Sequence, residues 1–276
     1  MLNLSRILAG LILSILIGGL AYWRGSLTPS GWLGAVVIGT LTFGFGGWTW
    51  GLTLIAFFIS SSALSHFRQA RKQLIAGEKF EKGGRRDLAQ TLANGGLGAA
   101  LALVYGLSDA PYLMLAAFVG LMATVTADTW ATELGVLSSH PPRQITTGRV
   151  VEPGTSGGIT TYGMLASGAG ALLIGCVATL LAALERGAWL PWLLPAALLA
   201  GLAGSLADSL LGATVQAIYR APDGGETERR AARGGAPNPA LRGWSWMNND
   251  LVNLLSSVAG ALVAVGVFMV IGMPWP

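Results

Sequence analysis

The 276 residues are 53% hydrophobic and only 11% charged, whereas a soluble domain carries about a quarter charged residues. That deficit, together with 40 glycines, excludes an ordinary soluble fold and points to closely packed transmembrane helices. The formal charge of +4 fits basic loops between spans under the positive-inside rule, and nucleic acid is not expected as a partner.

A β-barrel would alternate apolar and polar positions; the runs here are continuously apolar, so helices are expected. A span takes about 20 apolar residues. The first is 4–22, read as a retained helix because no small-residue cleavage site follows it. The next apolar stretch, 31–64, would make a helix about 50 Å long, too long for one span. "GFGG" at 44–47 offers a break, giving helices at 31–44 and 48–66. Further helices are expected at 88–106, 111–136, 159–184, 191–219 and 249–271. The predicted fold is an all-α polytopic membrane protein with about eight helices, or seven if 31–66 is one bent element. It is read as a single transmembrane domain over 1–276.

Three polar segments, 67–87, 137–158 and 220–248, hold most of the basic residues. The helix count puts all three on one face, and the positive-inside rule makes that face cytoplasmic. The expected location is the cytoplasmic (plasma) membrane. Two pairs of segments echo each other. "LADSLLGATVQ" at 206–216 resembles "TADTWATELG" at 126–135, and "NDLVNLLSSVAG" at 249–260 resembles "RDLAQTLANGG" at 86–96. A duplicated hairpin would produce this, and so would shared small-residue composition.

Several polar residues are unexplained by span composition. Asp128 and Asp208 lie inside apolar runs, where ionisable groups are costly and usually face a cavity or a partner. Glu133 is nearer a span end, where solvation alone would explain it. It lies about 140° around an ideal helix from Asp128, so the two cannot face one ion on a regular helix. "NNDLVN" at 248–253 groups Asn249, Asp250 and Asn253 after Asn248; an N-cap accounts for one of these residues, not four. Oxygen ligands without cysteine or histidine suit magnesium. Asp128, Glu133, Asp208 and Asp250 are therefore the candidate metal residues.

A complementary phosphate-binding half is expected in the loops. "GTSGG" at 154–158 (Gly154, Thr155, Ser156, Gly157, Gly158) precedes a helix and offers backbone donors. Arg143 and Arg149 precede it, Arg143 as a catalytic candidate. "KGGRRDLAQTLANGG" at 82–96 supplies Lys82, Arg85, Gln90 and Asn94. No P-loop, H-E-x-x-H or G-x-S-x-G motif is present. The single cysteine, Cys176, excludes an intrachain disulfide, and His66 and His140 form no zinc pattern. Phosphoryl transfer to an acceptor that is already a phosphate needs no strong base, because its second pKa is near 6.

The motifs "ADTWATELG", "PRQITTGRVVEPGTSGG", "GSLADSLLGATVQ" and "NNDLVN" resemble the integral membrane family that includes plant phytyl-phosphate kinase. "GGRRDLAQTLANGG" is similar to its bacterial, archaeal and animal members. The resemblance implies a kinase that converts an isoprenoid monophosphate, such as phytyl or geranylgeranyl phosphate, to the diphosphate, with Mg2+ and a nucleoside triphosphate, CTP in the plant enzymes. The partners it implies are the isoprenoid lipid, the nucleotide and membrane lipids. The lipid chain is expected in an apolar groove that opens to the bilayer. The rival reading is a transporter or flippase of a phosphorylated lipid, whose acids would lie near the bilayer midplane.

Overall fold

The structure is a computed structural model that describes residues 4–81, 84–107, 111–232 and 234–273. Its helices are α1 (Leu4–Trp23), α2 (Pro29–Gly46), α3 (Trp48–His66), α4 (Gln69–Ala76), α5 (Leu88–Gly106), α6 (Pro111–Gly135), α7 (Thr161–Arg186), α8 (Leu193–Thr214) and α9 (Asn249–Val267). A π-type turn, Phe268–Gly272, prolongs α9.

Local signals set the boundaries. Thr28 caps α2 by accepting from Gly31 N at 3.1 Å, with Pro29 in the first turn. Gly47, at φ +85°, separates α2 from α3, so 31–66 forms two helices and not one bent element. The first turn of α3 is capped by Glu185, from the far end of α7. Its carboxylate accepts from Trp48 N at 3.0 Å, Thr49 N at 2.8 Å and Thr49 Oγ1 at 2.6 Å. A carboxylate there satisfies otherwise orphaned amides and suits the helix dipole.

Among the described residues, seven helices are long and apolar enough to cross a membrane: α1, α3, α5, α6, α7, α8 and α9 with its extension. The eighth long helix, α2, is glycine-rich. It still runs the depth of the bundle. It begins where Thr28 N donates to Arg86 O and ends beside Glu185 at the opposite face.

The three basic segments meet at one end of the bundle. Thr227 Oγ1 donates to Glu78 O at 2.8 Å, and Lys79 Nζ pairs with Glu152 at 2.6 Å. They form a folded cap. α4 lies within 67–87, and a two-stranded sheet joins β1 (Arg143–Gln144) to β2 (Gly158–Ile159). In the third segment β3 (Ile218–Arg220) pairs with β4 (Glu226–Thr227) and β5 (Ala240–Arg242).

The largest departure from the expected boundaries is at the end of α8. Helix α8 stops at Thr214, not at residue 219. The returning chain takes the backbone groups that a longer helix would use: Trp244 N donates to Val215 O, and Ala217 N donates to Met247 O. Gly243 permits this approach, since a Cβ there would lie 1.9 Å from Gln216 O.

Helix α6 is the buried centre, packed against α3, α5, α7, α8 and α9. Phe118 stacks on Trp50 of α3 with ring centroids 4.2 Å apart. Further along, Thr124 fills the space left by two glycines. A Cβ on Gly204 of α8 would lie 2.2 Å from Thr124 Cγ2, and one on Gly260 of α9 would lie 1.8 Å from Thr124 Oγ1. Thr124 Oγ1 donates within 2.9 Å of Gly120 O and 3.1 Å of Ala200 O, so the hydroxyl is satisfied.

Adding volume at this junction should destabilise the bundle. Gly260→Val is expected to lower the melting temperature of the detergent-solubilised protein, overpacking costing about 1–3 kcal/mol. Gly266→Ala, in open space on the same helix, should be neutral or mildly stabilising. Equal melting temperatures for Gly260→Val and wild type would contradict the close three-helix contact.

Candidate functional site

A cavity of about 260 Å3 lies under the cap, where α6 and α8 end and α5, α7 and α9 begin. Asp128 and Asp208 both line it and are close enough to interact electrostatically. Asp128 makes no hydrogen bond or ion pair with the described residues, while Asp208 Oδ2 accepts from Ser256 Oγ at 3.2 Å. The placement follows from helix periodicity. Asp128 is four residues beyond Thr124, Asp208 four beyond Gly204, and Ser256 four before Gly260 in the oppositely directed α9. All three stand one turn, about 6 Å, above the close-packed junction.

The third acid on α6 is directed elsewhere. Glu133 borders the cavity, but its oxygens are engaged by Ser65 Oγ at 2.6 Å and by Lys72 Nζ. Lys72 also donates to Leu64 O at 2.7 Å and Ser65 O at 3.0 Å, capping α3. Glu133 therefore ties α6 to α3 and α4.

The loop "GTSGG" forms the lid of the cavity, with Gly154 through Gly158 along its wall. Gly157, at φ +81°, lies so close to α8 that a Cβ would meet Ala213 Cβ at 2.5 Å and Ser209 O at 2.7 Å. Ser156 Oγ donates to Gln216 Oε1 at 2.7 Å, and Gln216 Nε2 donates to Glu228 Oε1 at 2.8 Å. The lid is thus wired to the third cap segment. Gln90, Asn94, Asn249 and Asn253 complete the polar wall. Gln90 is half committed, because its side-chain oxygen accepts from Asp87 N at 3.2 Å in a capping box. Asn248 is the N-cap of α9, accepting from Leu251 N at 3.0 Å.

Other expected residues lie outside this wall. Arg143 alternates outward on β1, its Nη1 donating to Gly148 O at 2.9 Å, whereas Gln144 turns inward to Ser156 O. Arg143 lines a separate surface cleft that also holds His140. Arg149 is exposed. Arg85 turns back to Leu27 O and lies over the Tyr22 ring. Asp250 is not part of the wall. Lys82 lies outside the described residues.

Two wall residues had no signal in the sequence. Arg86 looks like its neighbour Arg85, and Glu228 sits in a mixed-charge loop. Burial raises the Glu228 carboxyl to about 7, a rise assisted by Glu81 and Asp250 and opposed by hydrogen bonds from Gln216 and Glu81 N.

Among the described residues the wall carries four carboxylates, Asp128, Glu133, Asp208 and Glu228, against one guanidinium, Arg86. Polyphosphate would be repelled by such a wall unless cations accompany it. Among the described residues, no three His, Cys, Asp or Glu side chains are arranged to hold a metal ion. Two carboxylates plus amide oxygens fit a magnesium ion that shares its coordination with substrate phosphates and water, not a closed protein cage.

Residues 12–261 match the family described as integral membrane protein DUF92. The chain is 32% identical to Protein PGR of Arabidopsis thaliana, covering 95% of this chain and 98% of that protein. It is 30% identical to an uncharacterised membrane protein of Methanocaldococcus jannaschii, over 88% of this chain and 86% of that one. It is 25% identical to Protein VTE6, chloroplastic, of Arabidopsis thaliana, over 87% of this chain and 64% of that protein. No solved structure matches the chain.

The Glu228 environment predicts a pH effect. The folded state holds its proton more tightly than the unfolded chain, whose value is near the ordinary 4.5. The associated stability is fully present below about 4.5 and is lost as pH rises through about 7. The melting temperature of wild type relative to Glu228→Gln should therefore fall between those pH values. Parallel pH profiles for the two proteins would show that Glu228 does not hold its proton in the fold.

Proposed function

This chain belongs to the DUF92 family of integral membrane proteins, and from that premise we propose that it is a membrane kinase. It transfers the γ-phosphoryl group of a nucleoside triphosphate, CTP the first candidate, to an isoprenoid monophosphate such as phytyl or geranylgeranyl phosphate. A phosphate oxygen of the acceptor bonds to the γ-phosphorus. The bond from that phosphorus to the β–γ bridging oxygen breaks, and the nucleoside diphosphate leaves with the electron pair.

The observation that carries this reading is the pairing of Asp128 and Asp208 in a polar cavity closed by a glycine loop and three helix N-termini. Helix N-termini favour anions. The two carboxylates would hold Mg2+, which on binding would neutralise charge that develops on the transferring group. Asn249, Asn253 and the "GTSGG" amides would orient the phosphates, and the lid would exclude water from the transferred group. No histidine lines the cavity among the described residues, in keeping with an acceptor phosphate already ionised near neutral pH. The motif resemblance to the family that includes plant phytyl-phosphate kinase supports the same chemistry.

The acids occupy the last two turns of α6 and α8, at the cap end. A transporter would place them near the midplane, with access from both faces. The basic cap segments favour a cytoplasmic orientation for this end.

The test is an assay of purified protein with CTP, ATP, GTP and UTP against phytyl, farnesyl and geranylgeranyl monophosphates. Diphosphate formation dependent on Mg2+ is expected. Asp128→Asn and Asp208→Asn should each cost about a hundredfold or more in rate, the scale of single electrostatic contacts in transition states. Their melting temperatures should stay near wild type, because both acids are costly groups in the unliganded fold. Near-normal rates in both variants would remove the acids from the site, and no diphosphate with any pair would remove the kinase reading.

A further inference from the structure

A second cavity, of about 80 Å3, lies among α1, α2, α3 and α5, and its wall is almost wholly apolar. Leu13 and Ile17 come from α1, Ile38 from α2, and Leu54, Ile55 and Phe58 from α3. It shares two residues with the polar cavity, Arg86 and Asn94. The apolar groove therefore begins where the acidic cavity ends.

From the level of Phe58 the groove follows α3 down to Gly51, seven residues, or about 10 Å of helix. Its floor is the ring of Phe43, which fits because Gly51 has no side chain; a Cβ there would lie 1.9 Å from Phe43 Cδ2. Helix α1 packs principally against α2 and has little contact with α3, although both line the groove. The outer face of α1, with Leu8, Ile12, Leu16 and Leu20, is exposed and apolar.

Arg86 stands at the junction. Its backbone is fixed by Arg86 N donating to Ser26 O at 2.9 Å and Thr28 N donating to Arg86 O at 3.0 Å. Its Nη1 donates to Ser62 Oγ at 2.9 Å, and its guanidinium lies over the Phe58 ring at 5.8 Å. Among the described residues no carboxylate forms a salt bridge with it. Burial works against its charged form, and the charge of Glu133 opposes that effect. The charge of Glu133 offsets the desolvation of this guanidinium only in part, and its planar fork suits a phosphate.

We propose that the groove among α1, α2, α3 and α5 holds the phosphate-proximal part of the hydrocarbon tail of a single-chain lipid phosphate, the rest of the tail lying in the bilayer, with the phosphate gripped by Arg86 at the mouth of the polar cavity. The assignment rests on the kinase reading for the purpose of the grip: it presents the acceptor phosphate, past Asn94, to the donor held near Asp128 and Asp208. Arg86 is a substrate-binding residue in this scheme. The tail enters from the bilayer, which is as apolar as the groove, so chain-length preference comes from packing against Leu13, Ile17, Leu54 and Ile55 and not from transfer out of water.

The test is equilibrium binding of radiolabelled farnesyl monophosphate to the full chain in nanodiscs, without nucleotide, so that no turnover is needed. Farnesol and the five-carbon dimethylallyl monophosphate serve as competitors. After the uptake by protein-free nanodiscs is subtracted, wild type should prefer farnesyl over dimethylallyl monophosphate by about tenfold or more. Ile55→Trp, which fills the groove, should bring that ratio towards one. Arg86→Gln should weaken farnesyl monophosphate about tenfold or more while leaving farnesol unchanged, and Arg86→Lys should restore part of the loss. Melting temperatures near wild type would show that the variants fold. Wild-type binding in both Ile55→Trp and Arg86→Gln overturns the assignment even in an active kinase. The expected binding pattern in a protein that transfers no phosphoryl group upholds the groove and sinks the kinase reading instead.

Discussion

Thr124 on the central helix, set against Gly204 and Gly260 of its two neighbours, fixes the distance at which α6, α8 and α9 cross. Membrane helices gain little from burying apolar surface against one another, because lipid is equally apolar. Close backbone approach and satisfied polar groups decide the packing instead. Here the threonine hydroxyl bonds to backbone carbonyls of α6 and α8, so the contact is both tight and polar. One turn further on, α6 and α8 present Asp128 and Asp208 to the cavity, and Ser256 of α9 donates to Asp208. The site is a geometric consequence of the junction beneath it.

Charge organises the remainder. Three acids around the cavity have distinct situations. Glu133 is consumed by Lys72 and Ser65 and binds α3 and α4 to the core. Glu228 is held through Gln216 to the lid serine. Asp128 has no partner among the described side chains. Removing Lys72 would leave the Glu133 carboxylate with only Ser65 and the more distant charge of Arg86. Asp128 and Glu133 thus share one helix but face different surroundings, separated by the 140° or so that five residues impose.

Much of this was legible in the sequence. Asp128 and Asp208 stand out because they are charges inside apolar runs, and "GFGG" marks the break at Gly47. The glycine loop was visible too, since Gly154 and Gly157 have the positive φ that glycine tolerates. Contacts between distant segments were not legible. Arg85 and Arg86 are alike as text. The backbone pairing of Arg86 with Ser26 and Thr28, 60 and 58 residues away, decides which of them turns inward. Arg143 looked like a phosphate ligand, but two-residue alternation on a strand too short to recognise turns it outward. The end of α8 was overestimated because nothing local announces that Gly243 will come back to claim the carbonyls near Gln216.

The most direct test of the account is a structure of the protein in a lipid nanodisc with Mg2+ and a non-hydrolysable CTP analogue. The account predicts density for the triphosphate under residues 154–158, between Asp128 and Asp208 and facing the first turns of α7 and α9. A triphosphate bound instead in the surface cleft beside Arg143 and His140, with the acidic cavity empty of phosphate, would contradict it.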